Sequence, residues 1–242
     1  MTMSDITVKE GKKIIYKMKP QNPALIALKK KQHDLTRRYF IEKTQEIIDE
    51  FGIEGVSIRV IAKKAGCNSA MIYSYFKSLD YLVTLSLMKY FREYISALSE
   101  HIEDTNSPIK NFYLVWDYFF DICFKSPKIF YRLFFTRHQE PLCDIVERYY
   151  EIFPEEAASH AAVIQRMLKG RDIYERNLRI LTPIAESGDL PTEQVDTVNE
   201  LIVSHFKVLL EEKCDLEDEA DDKQLKSKLF AAVDLLLRTE RK

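Results

Sequence analysis

Residues 56–78 read VSIRVIAKKAGCNSAMIYSYFKS, and the way this stretch folds sets the reading of the whole chain. Ser57 is a good N-cap for a short helix carrying Ile58, Ile61, Ala62 and Ala65 on one side and Arg59, Lys63 and Lys64 on the other. Gly66 stops that helix, and Asn68 or Ser69 is suited to cap a second one running through about Phe76. Ala62 and Ala65 are small where the two helices must pack closely, and Ile61, Cys67, Ile72 and Phe76 are spaced to close the core beneath them. Two short helices joined at one glycine, behind a longer supporting helix, form a helix-turn-helix. In that geometry the first helix crosses a DNA backbone and the second lies in the major groove.

The supporting helix is legible upstream. Phe40, Ile41, Thr44, Ile47, Ile48 and Phe51 recur on one helical face, with Gly52 as terminator. Three of the six glycines, Gly52, Gly55 and Gly66, fall in this segment, so sharp reversals are concentrated there. Downstream, Ser78 with Asp80 opens a longer helix towards Glu100. Beyond Asn106-Ser107-Pro108, further helices are predicted at roughly 109–125, 128–138, 141–151, 155–169, 172–187, 192–212 and 223–239. Pro127, Pro141, Pro154, Gly170, Gly188 and the acidic stretch from Cys214 to Glu219 mark the joints.

Composition supports an all-α chain. The 242 residues include 6 Gly and 8 Pro, about half the usual share of the pair. Turn-dense all-β folds and glycine-looped nucleotide binders need many residues at positive φ, which disfavours both. Cys67, Cys123, Cys143 and Cys214 lie 56, 20 and 71 residues apart, so no CxxC pair exists for zinc or redox chemistry and the four are read as reduced thiols. The opening MTMSDITVKE lacks an apolar leader core, and no run of ~18 uncharged apolar residues occurs. A cytoplasmic protein without membrane, metal or cofactor is expected.

Eight lysines among residues 1–32 face only Asp5 and Glu10. Two readings stand for this segment: a solvated tail, or an arm that follows a phosphate backbone. The expected organisation is a basic arm over 1–33, an N-terminal three-helix helix-turn-helix domain over 34–94, and a larger helical domain over 95–242.

Residues 34–94, above all IAKKAGCNSAMIYSYFKS at 61–78, resemble the N-terminal DNA-binding domain of the tetracycline-repressor (TetR) family of bacterial regulators. The family's IA, AG, Y, YF and K-S positions match in register. The resemblance implies an all-helical homodimer that binds a palindromic operator in double-stranded DNA, usually as a repressor, and releases it when a small molecule enters the C-terminal ligand-binding and dimerisation domain. It also implies that Ser57, Arg59, Tyr73, Tyr75 and Lys77 face the DNA backbone, with Ser74 beside them and Lys63 and Lys64 as a nearby positive field. Leu79 departs from the pattern, standing where many members carry a lysine that meets a phosphate.

Read from the residues themselves, Asn68, Ser69, Ala70 and Met71 open the second helix, the part that reaches base edges. No side chain from Asn68 to Phe76 is charged, which excludes an arginine fork on guanine from this helix. Ala70 and Met71 suit thymine methyl groups, and Asn68 and Ser69 suit hydrogen bonds. A·T-rich half-sites follow, read partly through shape and water. Core packing is the alternative reading for Met71 and Tyr73.

From Phe112 to Phe135, eleven of 24 positions are aromatic, more than one helix face holds. One reading is a large-residue core. The other is a pocket for an apolar or aromatic small molecule, lined by Phe112, Tyr113, Trp116, Asp117, Phe120, Phe124, Tyr131, Phe134 and Phe135. Asp117 and Asp121, one turn apart, suit a cationic planar ligand, whereas Arg132, Arg137 and His138 keep an anionic or acyl one open. The last two helices carry apolar stripes, of which Val198, Leu201, Ile202, His205 and Leu209, with Leu229, Val233, Leu236 and Leu237, are candidates for a four-helix dimer interface. The same stripes suit packing on their own subunit.

Two rival functions belong to other classes. His33-Asp34 invites a metal-dependent HD-type phosphohydrolase, yet His33 is the first of five histidines and that family places one before the pair. HExxH, GxSxG, P-loop and paired-Cys sites are also lacking. The second rival is a helical interaction module that kept the fold and lost operator binding, a thought prompted by Leu79 and the uncharged second helix. Charge favours DNA. Residues 1–77 hold 15 basic and 8 acidic side chains, and residues 78–242 hold 21 and 30, so the net charge of -2 conceals a basic end coinciding with the helix-turn-helix.

Overall fold

The computed structural model describes residues 9–10, 13–14, 22–102, 107–138, 140–157 and 160–237. Eleven α-helices make up almost all of this. The first, α1 (Pro23–Phe51), starts well before the expected Asp34: Asn22 caps it by accepting from Ala24 N at 3.0 Å, and Pro23 stands in its first turn, where a missing N–H costs nothing. Residues 23–33, read as part of a basic arm, are thus helical. Their apolar side chains Leu25, Ile26 and Leu28 are exposed and burial begins at Arg37, so no buried face announced the helix. Lys9–Glu10 (β1) and Lys13–Ile14 (β2) form a short antiparallel pair, Lys9 opposite Ile14; the rest of the expected arm lies outside the described residues.

Gly52 ends α1 at φ 71°, ψ 177°, a conformation open essentially to glycine alone. After a single 3-10 turn, α2 (Ile58–Ala65) begins with Ser57 accepting from Val60 N. Gly66 closes it in the left-handed region at φ 68°, ψ 31°, and Cys67 N reaches back to Ala62 O at 3.0 Å, which satisfies an otherwise orphaned carbonyl. Asn68, rather than Ser69, caps α3 (Ser69–Tyr73). That helix ends three residues before the expected Phe76, because the chain turns there to bury Phe76 against Phe40. Ser78 then caps α4 (Leu79–His101).

Helix α4 belongs to both halves of the molecule. It packs on α1 and also on α5 (Pro108–Lys125), α6 (Pro127–Phe135) and α7 (Leu142–Ile152). The expected boundary at residue 94 therefore falls inside one continuous helix. Instead of a helix over 155–169, a 3-10 turn at Pro154–Glu156 is followed by the short α8 (Ala162–Leu168), since Ala157 and Ala161 adopt extended backbone. Helices α9 (Ile173–Glu186), α10 (Val195–Leu216) and α11 (Asp222–Leu236) complete the body, α10 running on into the acidic stretch expected to break it.

The body's core is aromatic. Phe206 of α10 has its ring 5.2 Å from Trp116 and 5.1 Å from Phe119, and also meets Phe120, Phe124 and Phe135. A buried relay ties three helices together: Trp116 Nε1 donates to Asn177 Oδ1 at 2.8 Å, and Asn177 Nδ2 donates to Asn199 Oδ1 at 2.9 Å. Among the described residues no helix is long and apolar enough to cross a membrane.

Gly52 and Gly66, two of the three positive-φ glycines among the described residues, respond differently to substitution. Gly66→Ala is expected to cost about 1 kcal/mol and Gly66→Asn distinctly less, because Asn tolerates the left-handed region. Gly52→Ala and Gly52→Asn are both expected to cost about 2 kcal/mol. Urea unfolding of the four variants checks this order.

Candidate nucleic-acid interface

The caps fix where α2 and α3 point. Asn68 Oδ1 accepts from Met71 N at 2.9 Å, Ser74 Oγ donates to Met71 O at 2.6 Å, and Tyr39 Oη of α1 donates to Ala65 O at 3.2 Å. Ile61, Ala62, Ile72 and Phe76 face inward and are buried, while Cys67 is half-buried. The outward side carries Arg59, Lys63, Asn68, Ala70, Met71, Tyr73, Ser74 and Lys77, all exposed, with Ser57, Ser69 and Tyr75 partly so. Met71 is 44% exposed and Tyr73 51%, so the core-packing alternative fails for both. Asn68 spends its carbonyl oxygen on the cap, which leaves its amide nitrogen as the group able to meet a base edge. Val60 is also exposed, beside Arg59, although an apolar β-branched residue carries no sequence signal for a surface site.

The basic side chains are not equivalent. Among the described residues Arg59 and Lys63 have no ion-pair partner. Lys64 pairs with Glu50 at 2.5 Å and Glu46 at 3.5 Å, and the hydrogen bond to Glu50 raises its pKa. Lys77 pairs with Glu140 of the body and lies over the Tyr81 ring. Arg59 and Lys63 thus carry the uncompensated charge, whereas Lys64 and Lys77 must leave carboxylates to meet a phosphate. A concavity of about 350 Å³ is lined by Lys30, Arg37, Lys77 and Arg148 with His33 and Tyr75, and also by the carboxylates Asp34 and Glu140. His33, 4.9 Å from the Tyr75 ring, sits there as part of the early start of α1 that the sequence pattern did not reveal. Among the described residues no group of three His, Cys, Asp or Glu is placed to hold a metal.

In the body, the structure divides the expected pocket residues. Phe112, Trp116, Phe120 and Phe124 are buried core. Tyr113 and Asp117 line an outer groove between α5 and α11. Tyr131 donates to Glu211 at 2.6 Å, which pushes its hydroxyl pKa up to about 12. Phe134 and Phe135 line a cleft of about 630 Å³ with His138, Arg137, Ile173 and Lys207. A single pocket lined by all nine is therefore corrected, because α5 turns most of its aromatic face inward to Phe206. The carboxylates expected for a cation already share one, Lys226 lying 2.8 Å from both Asp117 and Asp121.

The proposed dimer stripe is also corrected. Val198, Ile202, Leu209, Leu229, Val233 and Leu237 are buried within their own chain, and Leu236 is half-buried. Both helices are apolar on more than one side, and the more continuous stripe covers the body. What remains outside is Leu201, His205 and Val208 on α10, with Leu235 on α11.

Residues 40–84 match the family described as bacterial regulatory proteins, tetR family. The helix-turn-helix is of that type, and the chain carries the N-terminal domain of the TetR family. Two solved structures share the fold beyond this segment. RolR, in complex with the ligand resorcinol, is 16% identical, with 87% of this chain and 89% of RolR covered at a TM-score of 0.53. FadR of Thermus thermophilus, a TetR-family transcriptional repressor in complex with lauroyl-CoA, is 12% identical, with 83% and 93% covered at 0.53. At these identities the likeness establishes architecture. No curated protein sequence matches the chain.

Met71→Ala and Tyr73→Ala are expected to change unfolding free energy by less than about 0.5 kcal/mol, and Ile72→Ala to lower it by about 2–4 kcal/mol. Denaturant titration of the three variants checks the inward and outward sides of α3.

Proposed function

We propose that this chain is a cytoplasmic, non-enzymatic transcription regulator that holds a palindromic operator as a homodimer, represses from it, and releases it when a small molecule enters the helical body. The observation that carries the reading is the α2–α3 surface: exposed Ala70, Met71 and Tyr73 next to the unpaired charges of Arg59 and Lys63. Apolar and hydroxyl groups read A·T-rich half-sites, and the two cations anchor the backbone. The ligands bound to RolR and FadR support an effector here also.

The head and body are joined beside the cleft. Arg132 of α6 pairs with Asp80 at 2.6 Å, His138 Nδ1 lies 3.3 Å from Thr84 Oγ1, and Glu140 holds Lys77. An occupant that shifts α6 pulls on the first turns of α4 and on a side chain of the DNA-facing surface. A second reading, an interaction module of the same fold without operator binding, draws on the pairing of Lys64 and Lys77, and the same experiment decides it.

Fluorescence anisotropy with DNA from upstream of the gene, at several salt concentrations, is the test. Arg59→Ala and Lys63→Ala each remove one phosphate contact per protomer, so each is expected to flatten the log-affinity against log-salt slope of the dimer by about 1.8, and Lys64→Ala by clearly less. Binding that ignores salt, or equal slopes for all three, rejects operator binding through this face.

The dimer is assigned to the outer row Leu201, His205, Val208 and Leu235, brought together across a two-fold axis. Val208→Glu with Leu235→Glu is expected to halve the mass seen by light scattering and to weaken binding to a palindrome much more than to a half-site. An unchanged mass places the interface elsewhere.

A further inference from the structure

Helix α9 turns one cation into the interior. Arg176 is 2% exposed, and among the described residues no carboxylate forms an ion pair with it. Both terminal nitrogens of its guanidinium are buried without a hydrogen-bond partner. The group lies against aromatic faces instead, Cζ being 4.5 Å from the Phe91 ring centre and 5.8 Å from that of Phe134. Gly170 makes the placement possible, because a Cβ there would come within 2.5 Å of Arg176 Cγ. Burial lowers the Arg176 pKa to about 10, which still leaves it charged at neutral pH. A buried guanidinium without a counter-charge is costly, and cation–π contact offsets only part of the cost.

Arg176 borders a cavity of about 20 Å³ whose walls include Tyr94, Trp116, Phe119, Ile173 and Asn177. Asn177 is committed to Trp116 and Asn199. Tyr94 is not so well served: its buried hydroxyl has Met167 Sδ at 3.8 Å as acceptor, a weak one. Two buried donors short of acceptors therefore share one aromatic chamber. The chamber has the volume of about one water, and its lining adjoins that of the 630 Å³ cleft. Ile173 lines both spaces, and Phe134 lines the cleft while backing onto Arg176.

We propose that Arg176 and Tyr94 are the anion-holding end of the effector site, and that the effector is a small aromatic or aliphatic monocarboxylate entering from the cleft as Phe134 and Ile173 move aside. The assignment rests on the ligand-released reading above. One cation and one hydroxyl match a single negative charge, and the aromatic walls match an apolar body. A dianion would leave charge unmet. On the cleft lining Arg137, Arg171 and Lys207 are balanced by Glu140, Asp172 and Glu175, so the uncompensated cation lies deeper, at Arg176. Displacing Phe134 moves α6, the helix that carries the Arg132 link to Asp80.

Trp116 is the single tryptophan of the chain and lines the cavity, so its fluorescence reports occupancy without DNA. Benzoate, phenylacetate and octanoate are titrated into the full chain in chloride-free buffer, beside methyl benzoate and chloride. At least one acid is expected to give a saturable Trp116 change and a raised melting temperature, and the neutral ester and chloride to give neither. R176K, which keeps the charge, is expected to bind about tenfold more weakly, and R176M to lose the response. Without ligand, R176M is expected to melt at or above the parent, because it removes an uncompensated charge; this separates a lost site from a lost fold. Silence from all three acids, undiminished binding by R176M, or chloride acting as well as the acids overturns the proposal. So does an R176M melting far below the parent, which makes the cation a structural one. Operator release is scored separately. An acid that binds at Arg176 without releasing DNA overturns the ligand-release reading and leaves the site, whereas DNA binding with no response to acids overturns the site alone.

Discussion

One uninterrupted helix sets what the two halves of this chain can do independently. Helix α4 runs from Leu79 to His101 as a single hydrogen-bonded rod, about 35 Å long at 1.5 Å per residue. In its first half, Ser86 Oγ reaches Ile41 O, and Lys89 and Tyr90 both hold Asp49, so these turns belong to the helix-turn-helix unit. Further along, Tyr94 meets Met167 and Ser99 meets His160, which belong to the body. A helix bends sharply only where something breaks its ladder, such as proline or an inserted group, and α4 contains no proline. Helix α4 thus spans both halves without a proline hinge between them.

The second connection is made of exchangeable contacts. Arg132 with Asp80, Lys128 with Glu54, and Glu140 with Lys77 are partly exposed ion pairs, each weak on its own. They all reach from α6, or the segment just after it, to the helix-turn-helix unit. A continuous connection through α4 combined with weak, reversible contacts through α6 is a combination in which a small change of packing selects between orientations without unfolding either half.

The helix-turn-helix was legible because its punctuation is local. Ser57, Gly66, Asn68 and Ser78 each act on a backbone group within five residues, and a sequence displays such pairs directly. The start of α1 was not, since residues 23–36 bury little; Asn22-Pro23 was the available signal. The stripes on α10 and α11 are apolar in the sequence, yet a stripe does not say which body it covers. Phe206, off the chosen stripe, proves to be the residue that closes the aromatic cluster. Arg176 was hidden for a different reason. It stands in the polar run Tyr174-Glu175-Arg176-Asn177, which reads as a solvated face, and its burial arises from packing on Gly170 and on rings from α4 and α6.

The spread of contacts along the chain also orders its assembly during synthesis. The bonds between α1 and α4 join residues 40 to 45 positions apart. The body is fastened across far longer spans, Lys226 to Asp121 over 105 positions and Tyr113 to Asp234 over 121. Segments made first fold first where their partners are already present. The helix-turn-helix unit is thus complete while the ribosome is still at work on the body, and the aromatic faces of α5 and α6 wait uncovered until Phe206 emerges. Nascent chains pass through a stage in which the head is formed and the part that governs it is not, so premature termination before α10 yields a head attached to an open, aggregation-prone aromatic surface.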